Sequence, residues 1–272
     1  MFTVDHDFHI HSQLSSCSGD PLQTAERLLT YALENHLSRI CVTDHFWDET
    51  VAGASPWYAK QDFAHVSQIL PLPKHDGVRF FFGCETELDR YGTLGISRER
   101  MEQFDFIVIP TTHLHMSGFT IDVLRDGSTE SRARLWVERL DAVLSMDLPF
   151  CKVGIAHLTC PLMAREPAGE HLRLLSMIPD GTMQRLFARA AALGVGIELN
   201  FNAVDPSEAE LEVILRPYRI AKAEGCKFYF GSDAHHPASL HTVNARRITR
   251  LLSLAESDKL PLPERSVLDG LS

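Results

Sequence analysis

Apolar residues in this chain gather in short dense runs, separated by longer stretches in which they recur every three or four positions. The runs VDHDFHI (4–10), RICVT (39–43), VRFFFGC (78–84), FDFIVIP (104–110), CKVGIA (151–156), VGIELN (195–200) and KFYFG (227–231) have strand length and little strict alternation. That pattern fits parallel strands covered on both faces. Between them, segments 21–36, 130–146, 182–194 and 207–225 carry helical periodicity. Asp20, Pro21 and Gln23 predict the start of the first helix, as N-cap, N1 proline and N3 member of a capping box. Gly194 and Gly225 fall where helices should stop. Seven strands, each followed by a crossover, predict an α/β fold in a single domain over residues 1–272, a closed or nearly closed β/α barrel. A doubly wound open sheet is the structural alternative.

Composition narrows the function classes. The net charge is −10 and no block of like charge stands out, which argues against nucleic acid or an anionic membrane as partner. A small anionic substrate remains compatible, because bound metal supplies positive charge locally. The start MFTVDHDFHI lacks the basic-then-apolar pattern of a signal peptide, and no eighteen consecutive residues are apolar. Six cysteines form no CxxC pair. Cys41, Cys84, Cys151 and Cys226 lie in or beside apolar runs and read as free core cysteines in a reducing compartment. A cytoplasmic protein is expected, with the oligomeric state, homo-oligomer included, left open.

The chemistry lies at the ends of the runs. In a parallel barrel every strand's C-terminal end opens onto one rim. Strand one ends in His9 and His11, and strand two runs into Asp44 and His45. Strand three delivers Glu85 and then Glu87, strand four leads to His113 and His115, and strand five ends at His157. Strand six carries Glu198 and Asn200, and strand seven leads to Asp233 and His235. Seven of the fourteen histidines thus sit at strand ends. Two imidazoles on one strand face are costly to bury unless something binds them. On an ideal strand Asp7, His9 and His11 share that face, and Phe8 and Ile10 the other. Imidazoles and carboxylates without a thiolate framework suit zinc, iron or manganese. The ligands exceed what one ion can use, so two or three ions are implied, bridged by Glu85 and a solvent oxygen.

The segments DFHIHS, VTDHF, GCETE, TTHLH, IAHL and GSDAHHP, spread from residue 5 to about 240, resemble the motifs of the PHP (polymerase and histidinol phosphatase) superfamily. The likeness is greatest to its histidinol-phosphatase-like phosphoesterases. It implies a distorted (β/α)7, TIM-like barrel with a trinuclear metal site. By motif, His9, His11, Glu85 and Asp233 would hold one ion, Glu85, His113 and His157 a second, and His45 and His235 the third. The family's further ligand for the third ion falls at Ser16 and Cys17 here. Cys17 is then either a thiolate ligand, favouring zinc, or an ordinary loop thiol. Asp20 fits helix capping better. His115 is a substitute for His113 or a substrate contact, Glu87 a rim residue or salt-bridge partner, and Asp44 an orienting group.

Such a centre implies hydrolysis of a small phosphorylated metabolite by metal-activated hydroxide, with no covalent protein nucleophile. The sequence holds no GxSxG, P-loop or GxGxxG motif. Arg165 is the first candidate for the substrate phosphate, with Arg90 and Arg125 as competitors. Trp47, Trp57, Tyr58, Met116 and Phe119, in loops 46–62 and 111–130, form either a substrate-side wall or plain packing. His6, His36, His65, His75, His171 and His241 read as surface or satisfied packing residues, and His236 as a weak substrate candidate. Two other classes compete: an amidohydrolase-type metal hydrolase of C–N or ester bonds, and a non-catalytic metal-binding module. The former commonly needs a carboxylated lysine at the end of strand four, where FDFIVIPTTH has none.

Overall fold

Each predicted run forms a strand, and most are shorter than the run that announced them. The computed structural model describes residues 1–164, 166–201 and 206–270. The strands are β1 (His6–Ile10), β2 (Arg39–Val42), β3 (His45–Phe46), β4 (Arg79–Phe82), β5 (Cys84–Thr86), β6 (Ile107–Pro110), β7 (Val153–Ala156), β8 (Gly196–Leu199) and β9 (Lys227–Phe230). All pairings between them are parallel, in the orders β1-β2-β4 and β3-β5-β6-β7-β8-β9. The helices are α1 (Ala25–Glu34), α2 (Phe63–Val66), α3 (Arg98–Met101), α4 (Val123–Asp126), α5 (Thr129–Leu144), α6 (Glu170–Met177), α7 (Asp180–Leu193), α8 (Glu208–Ala223) and α9 (Val243–Leu251). None of the described helices is long and apolar enough to cross a membrane.

Both strand faces are buried, against different partners. Ile40 and Val42, Phe80 and Phe82, Ile107 and Ile109, Val153 and Ile155, and Phe228 and Phe230 join the large core shared with the helices. The residues between them, Cys41, Phe81, Val108 and Tyr229, meet Phe8, Phe106 and Ala156 in a second cluster closed by Leu260 and Leu262. This explains the apolar runs without alternation: each buried aromatic contributes about 1.5–3 kcal/mol on whichever face it lies. Room for the second cluster comes from glycine. A Cβ at Gly154 would fall within 2.5 Å of the Tyr229 ring, and one at Gly196 2.6 Å from Leu260.

Several expectations need correction, a core place for Cys151 among them: it lies in the turn before β7 and is exposed, while Cys41, Cys84 and Cys226 are buried. The run 78–84 splits at Gly83, where a Cβ would lie 2.6 Å from the Phe106 carbonyl oxygen, and strand two likewise breaks between β2 and β3. The breaks move the chain from the first sheet to the second and set His45 beside Glu85 in register. Phe8 and Ile10 do not share a face: an irregularity between Asp7 and Ile10 puts Phe8 in the small cluster and Ile10 in the large one. The first helix starts at Ala25, with Thr24 accepting from Arg27 N–H as N-cap, not Asp20. Asp20 instead accepts from Leu22 N–H in a local turn, and the Gln23 amide donates to the carbonyls of His11 and Ala234. Tertiary hydrogen bonds outweigh the capping pattern. Gly194 does end α7, in the left-handed conformation. Two backbone hydrogen bonds tie the segment after β9 to β1, from Asp233 N–H to His9 O (2.7 Å) and from His11 N–H to Ala234 O (3.1 Å).

Candidate metal centre

The strand geometry sends imidazoles and carboxylates to one place. Three groups of side chains offer ligand atoms within 4.8 Å of one another: His9, His11 and Glu85; Glu85, His113 and His157; and His11, His45 and His235. Asp233 Oδ1 lies 3.2 Å from His11 Nε2 and 3.5 Å from His9 Nε2, joining the first group. Glu85 belongs to two groups and His11 to two. His157 and Asp233 adopt positive φ (29° and 53°), a conformation non-glycine residues avoid and that concentrates at functional sites.

The imidazoles are oriented by hydrogen bonds at their other nitrogen. His9 Nδ1 donates to Glu198 Oε1 (2.6 Å), His11 Nδ1 to Ser15 Oγ (2.8 Å), and His113 Nδ1 to Glu87 Oε2 (2.7 Å). His157 Nδ1 donates to Thr112 Oγ1 (2.9 Å), whose own hydrogen goes to the His157 carbonyl. His235 Nδ1 donates to the Asp233 carbonyl (2.8 Å). Ser15 passes its hydrogen to Asp44 Oδ1 (2.9 Å), which also accepts from Ser12. With the hydrogen on Nδ1, each of these rings in its neutral form keeps Nε2 bare, as metal-bound histidines do. Gly231 makes the His9–Glu198 contact possible, because a Cβ there would collide with that carboxylate and lie 2.5 Å from His9 Cβ.

This donor set fits divalent cations. The Nε2 atoms of His9 and His11 lie 3.2 Å apart, a contact that a proton or a cation between or beside them would satisfy. Glu85 Oε2 is buried without an aligned hydrogen bond, yet His45 Nδ1 lies 2.8 Å away and His9 and His11 Nε2 3.5 Å. Burial opposes charge on His9, but Glu198, Glu85 and Asp233 outweigh it and raise its pKa well above the usual value. His45 is likewise raised despite burial, mainly by Glu85. Burial together with His235 and His45 drives His11 well below it. Burial pushes Glu85 up, but His45 and His9 hold it well below the carboxylate range. The carboxylates demand positive charge that one proton inventory divides unevenly.

A cavity of about 440 Å³ opens on the cluster. Trp57, Tyr58, Met116 and Leu162 form its apolar wall, and His115 and Cys17 also line it. Trp47, Tyr58 and Phe119 pack as a small separate core, so Trp47 and Phe119 are packing residues while Trp57, Tyr58 and Met116 face the cavity. Cys17 stands outside the three groups. Burial raises its thiol, but His45 and His235, which it hydrogen-bonds, bring it down to about 7. A hollow of about 270 Å³ by the start of α5 contains none of these ligands.

The remaining candidates separate. Arg165 lies outside the described residues. Arg125 pairs with Asp126 and Arg90 stacks on Tyr91, and neither lines the cavity. Glu87 is buried in a salt bridge with Arg139. His236 lies 3.6 Å from Asp20 and is exposed. His6 is satisfied packing, between Asp5 (2.8 Å) and the Phe230 N–H (2.9 Å). Sequence reasoning missed Ser15, Thr112 and Arg139. It named Glu198 without a role, although a carboxylate inside an apolar strand already requires a partner.

A scan against protein-family models finds no match, and a search of curated proteins finds none either. Among solved structures, the chain is similar to histidinol phosphate phosphatase from Lactococcus lactis subsp. lactis Il1403, complexed with zinc, L-histidinol and phosphate. The identity is 18% and the TM-score 0.57, over 94% of this chain and 98% of that one. It is also similar to a Listeria monocytogenes protein described as a candidate histidinol phosphatase, at 14% identity and TM-score 0.62, over 89% and 99%. At these identities the likeness establishes the fold. The chain has the parallel-stranded α/β fold of histidinol-phosphatase structures, in line with the resemblance of its motifs.

Proposed function

We propose that the chain is a metal-dependent phosphatase that hydrolyses a small phosphomonoester, with histidinol phosphate the first substrate to test. One observation carries this reading: a buried carboxylate, Glu85, is shared by two ligand groups whose imidazoles are pinned with Nε2 bare. The zinc, L-histidinol and phosphate of the Lactococcus structure support the substrate class. His9, His11, Glu85 and Asp233 would hold one ion, Glu85, His113 and His157 another, and His45 and His235, with Cys17, a third. Two or three zinc, iron or manganese ions fit, zinc foremost.

Ions bound there would neutralise phosphoryl oxygens and acidify a water. This chain's residues do the rest. Glu85 holds neighbouring ligand groups in register, and the apolar wall of Trp57, Met116 and Leu162 excludes water from the substrate's organic part. His115 would contact the substrate, and Arg165 would bind its phosphate. The amidohydrolase alternative has no lysine on β6. The reading extends to one domain over residues 1–272, built as a distorted (β/α)7 barrel in which two of the seven strands are each broken in two, in a cytoplasmic enzyme without nucleic-acid or membrane partners.

The deciding experiment measures metal content and hydrolysis of a panel of phosphorylated metabolites, histidinol phosphate included, on one purified sample. Two or three equivalents of metal and turnover of at least one phosphomonoester are expected. A metal-free, inert protein that never met a chelator would refute the reading. Cys17→Ser is expected to remove one equivalent of zinc selectively; unaltered metal content and rate would make Cys17 a plain rim thiol.

A further inference from the structure

The centre's imidazoles are oriented by neighbours within their own rim, with one exception. The carboxylate behind His113 is itself held by a residue from the helical layer. We infer that Arg139, in the middle of α5, is a positioning residue that acts through Glu87 to fix the orientation and tautomer of His113. This rests on the metal-site reading above and deepens it.

Arg139 is buried, and every one of its donors is engaged. Nε donates to Thr111 O (2.9 Å), and Nη1 to Thr120 O (3.3 Å) and Asp89 O (3.5 Å). Nη2 donates to Leu88 O (2.8 Å) and to Glu87 Oε1 (3.0 Å). A guanidinium has five N–H groups, and those five contacts use them all. Arg139 therefore has none left for a substrate phosphate. Four of the contacts are to carbonyls of the loops after β5 and β6, and the fifth is to the side chain behind the metal site.

Glu87 divides its two oxygens. Oε1 accepts from Arg139 and from Leu88 N–H (2.9 Å), while Oε2 faces His113 Nδ1 at 2.7 Å. With a guanidinium on one side, the carboxylate offers only acceptors to the other, so His113 Nδ1 must carry the hydrogen. Nε2 is then the bare nitrogen, on a ring stacked against His157 at 4.7 Å and 25° and grouped with Glu85. A planar fork does this where a lysine could not, because it holds the carboxylate in a fixed plane while bonding the loop carbonyls.

The test uses the full chain with two substitutions, Glu87→Gln and Arg139→Lys. Glu87→Gln keeps the shape but can turn an amide N–H toward His113. Long-range 1H–15N NMR of the metal-free protein should report Nδ1–H for His113 in the wild type. A shift toward Nε2–H is expected in Glu87→Gln, and a mixture in Arg139→Lys. Competition titration with zinc should show affinity at one site falling by about 10–100-fold, with the melting temperature of Glu87→Gln near wild type and that of Arg139→Lys lower, because the lysine also leaves loop carbonyls unpaired. A purely structural role would lower the melting temperature and leave tautomer and zinc affinity alone, which would overturn the inference. Unchanged tautomer in Glu87→Gln would overturn it as well. If no variant binds zinc, wild type included, the metalloenzyme reading fails, and the NMR comparison still decides the role of Arg139.

Discussion

Glu85→Ala is expected to abolish phosphomonoester hydrolysis and to release most of the bound metal from a protein that stays folded. Two ligand groups share this carboxylate, so its loss opens both at once instead of weakening one. Its oxygens lie 2.8 Å from His45, 3.5 Å from His9 and His11, and 3.4 Å from His157; Asp233 also reaches His9 and His11 but belongs to no group with His113 and His157. Removing several kcal/mol of charge stabilisation slows a reaction by a thousandfold or more, about 4 kcal/mol being a factor of a thousand. The fold should survive, because Glu85 belongs to neither of the two larger apolar clusters and the raised pKa of His45 relaxes once the charge that raised it is gone. Circular dichroism, metal analysis and turnover on one preparation check all three parts. Full turnover in the Glu85→Ala variant would leave the shared-ligand reading without support.

Chelation should destabilise the wild type and spare that variant. Ions bound only by the folded chain add about 4 kcal/mol at a thousand times their dissociation constant. For a chain of this size each kcal/mol moves the midpoint by about 2–4 °C, so stripping the metal should lower it by about 8–16 °C. In Glu85→Ala the same chelator should move it little. Scanning calorimetry with and without chelator reads the difference. Equal midpoints for loaded and stripped wild type would mean that the ligands are held in place without help from an ion.

Much of this was legible along the chain because it depends on local order. An apolar run of four residues with a histidine or carboxylate at its end announces both a strand and the rim it reaches, as at His157 after β7 and Asp233 after β9. What was not legible depends on partners far away in sequence. Arg139 looks like any polar position on an amphipathic helix, yet its donors reach residues 87 and 88, about fifty positions back. Gln23 fits a capping box and is instead recruited by the carbonyls of His11 and Ala234, the latter on the far side of the chain. The twist that sends Phe8 and Ile10 to opposite clusters follows from an irregularity in pairing, which alternation by itself cannot anticipate.

The joint between β1 and the segment after β9 has a consequence for how the protein is made. His9 and Asp233 meet through a main-chain hydrogen bond and a shared ligand group, although 224 positions separate them. At roughly 5–20 residues per second, translation needs on the order of tens of seconds to supply the second once the first has emerged. Until then the earliest imidazoles wait on the ribosome without their counterparts. The ligand group that Asp233 joins is therefore completed late, whereas Glu85, His113 and His157 are all in the chain well before it.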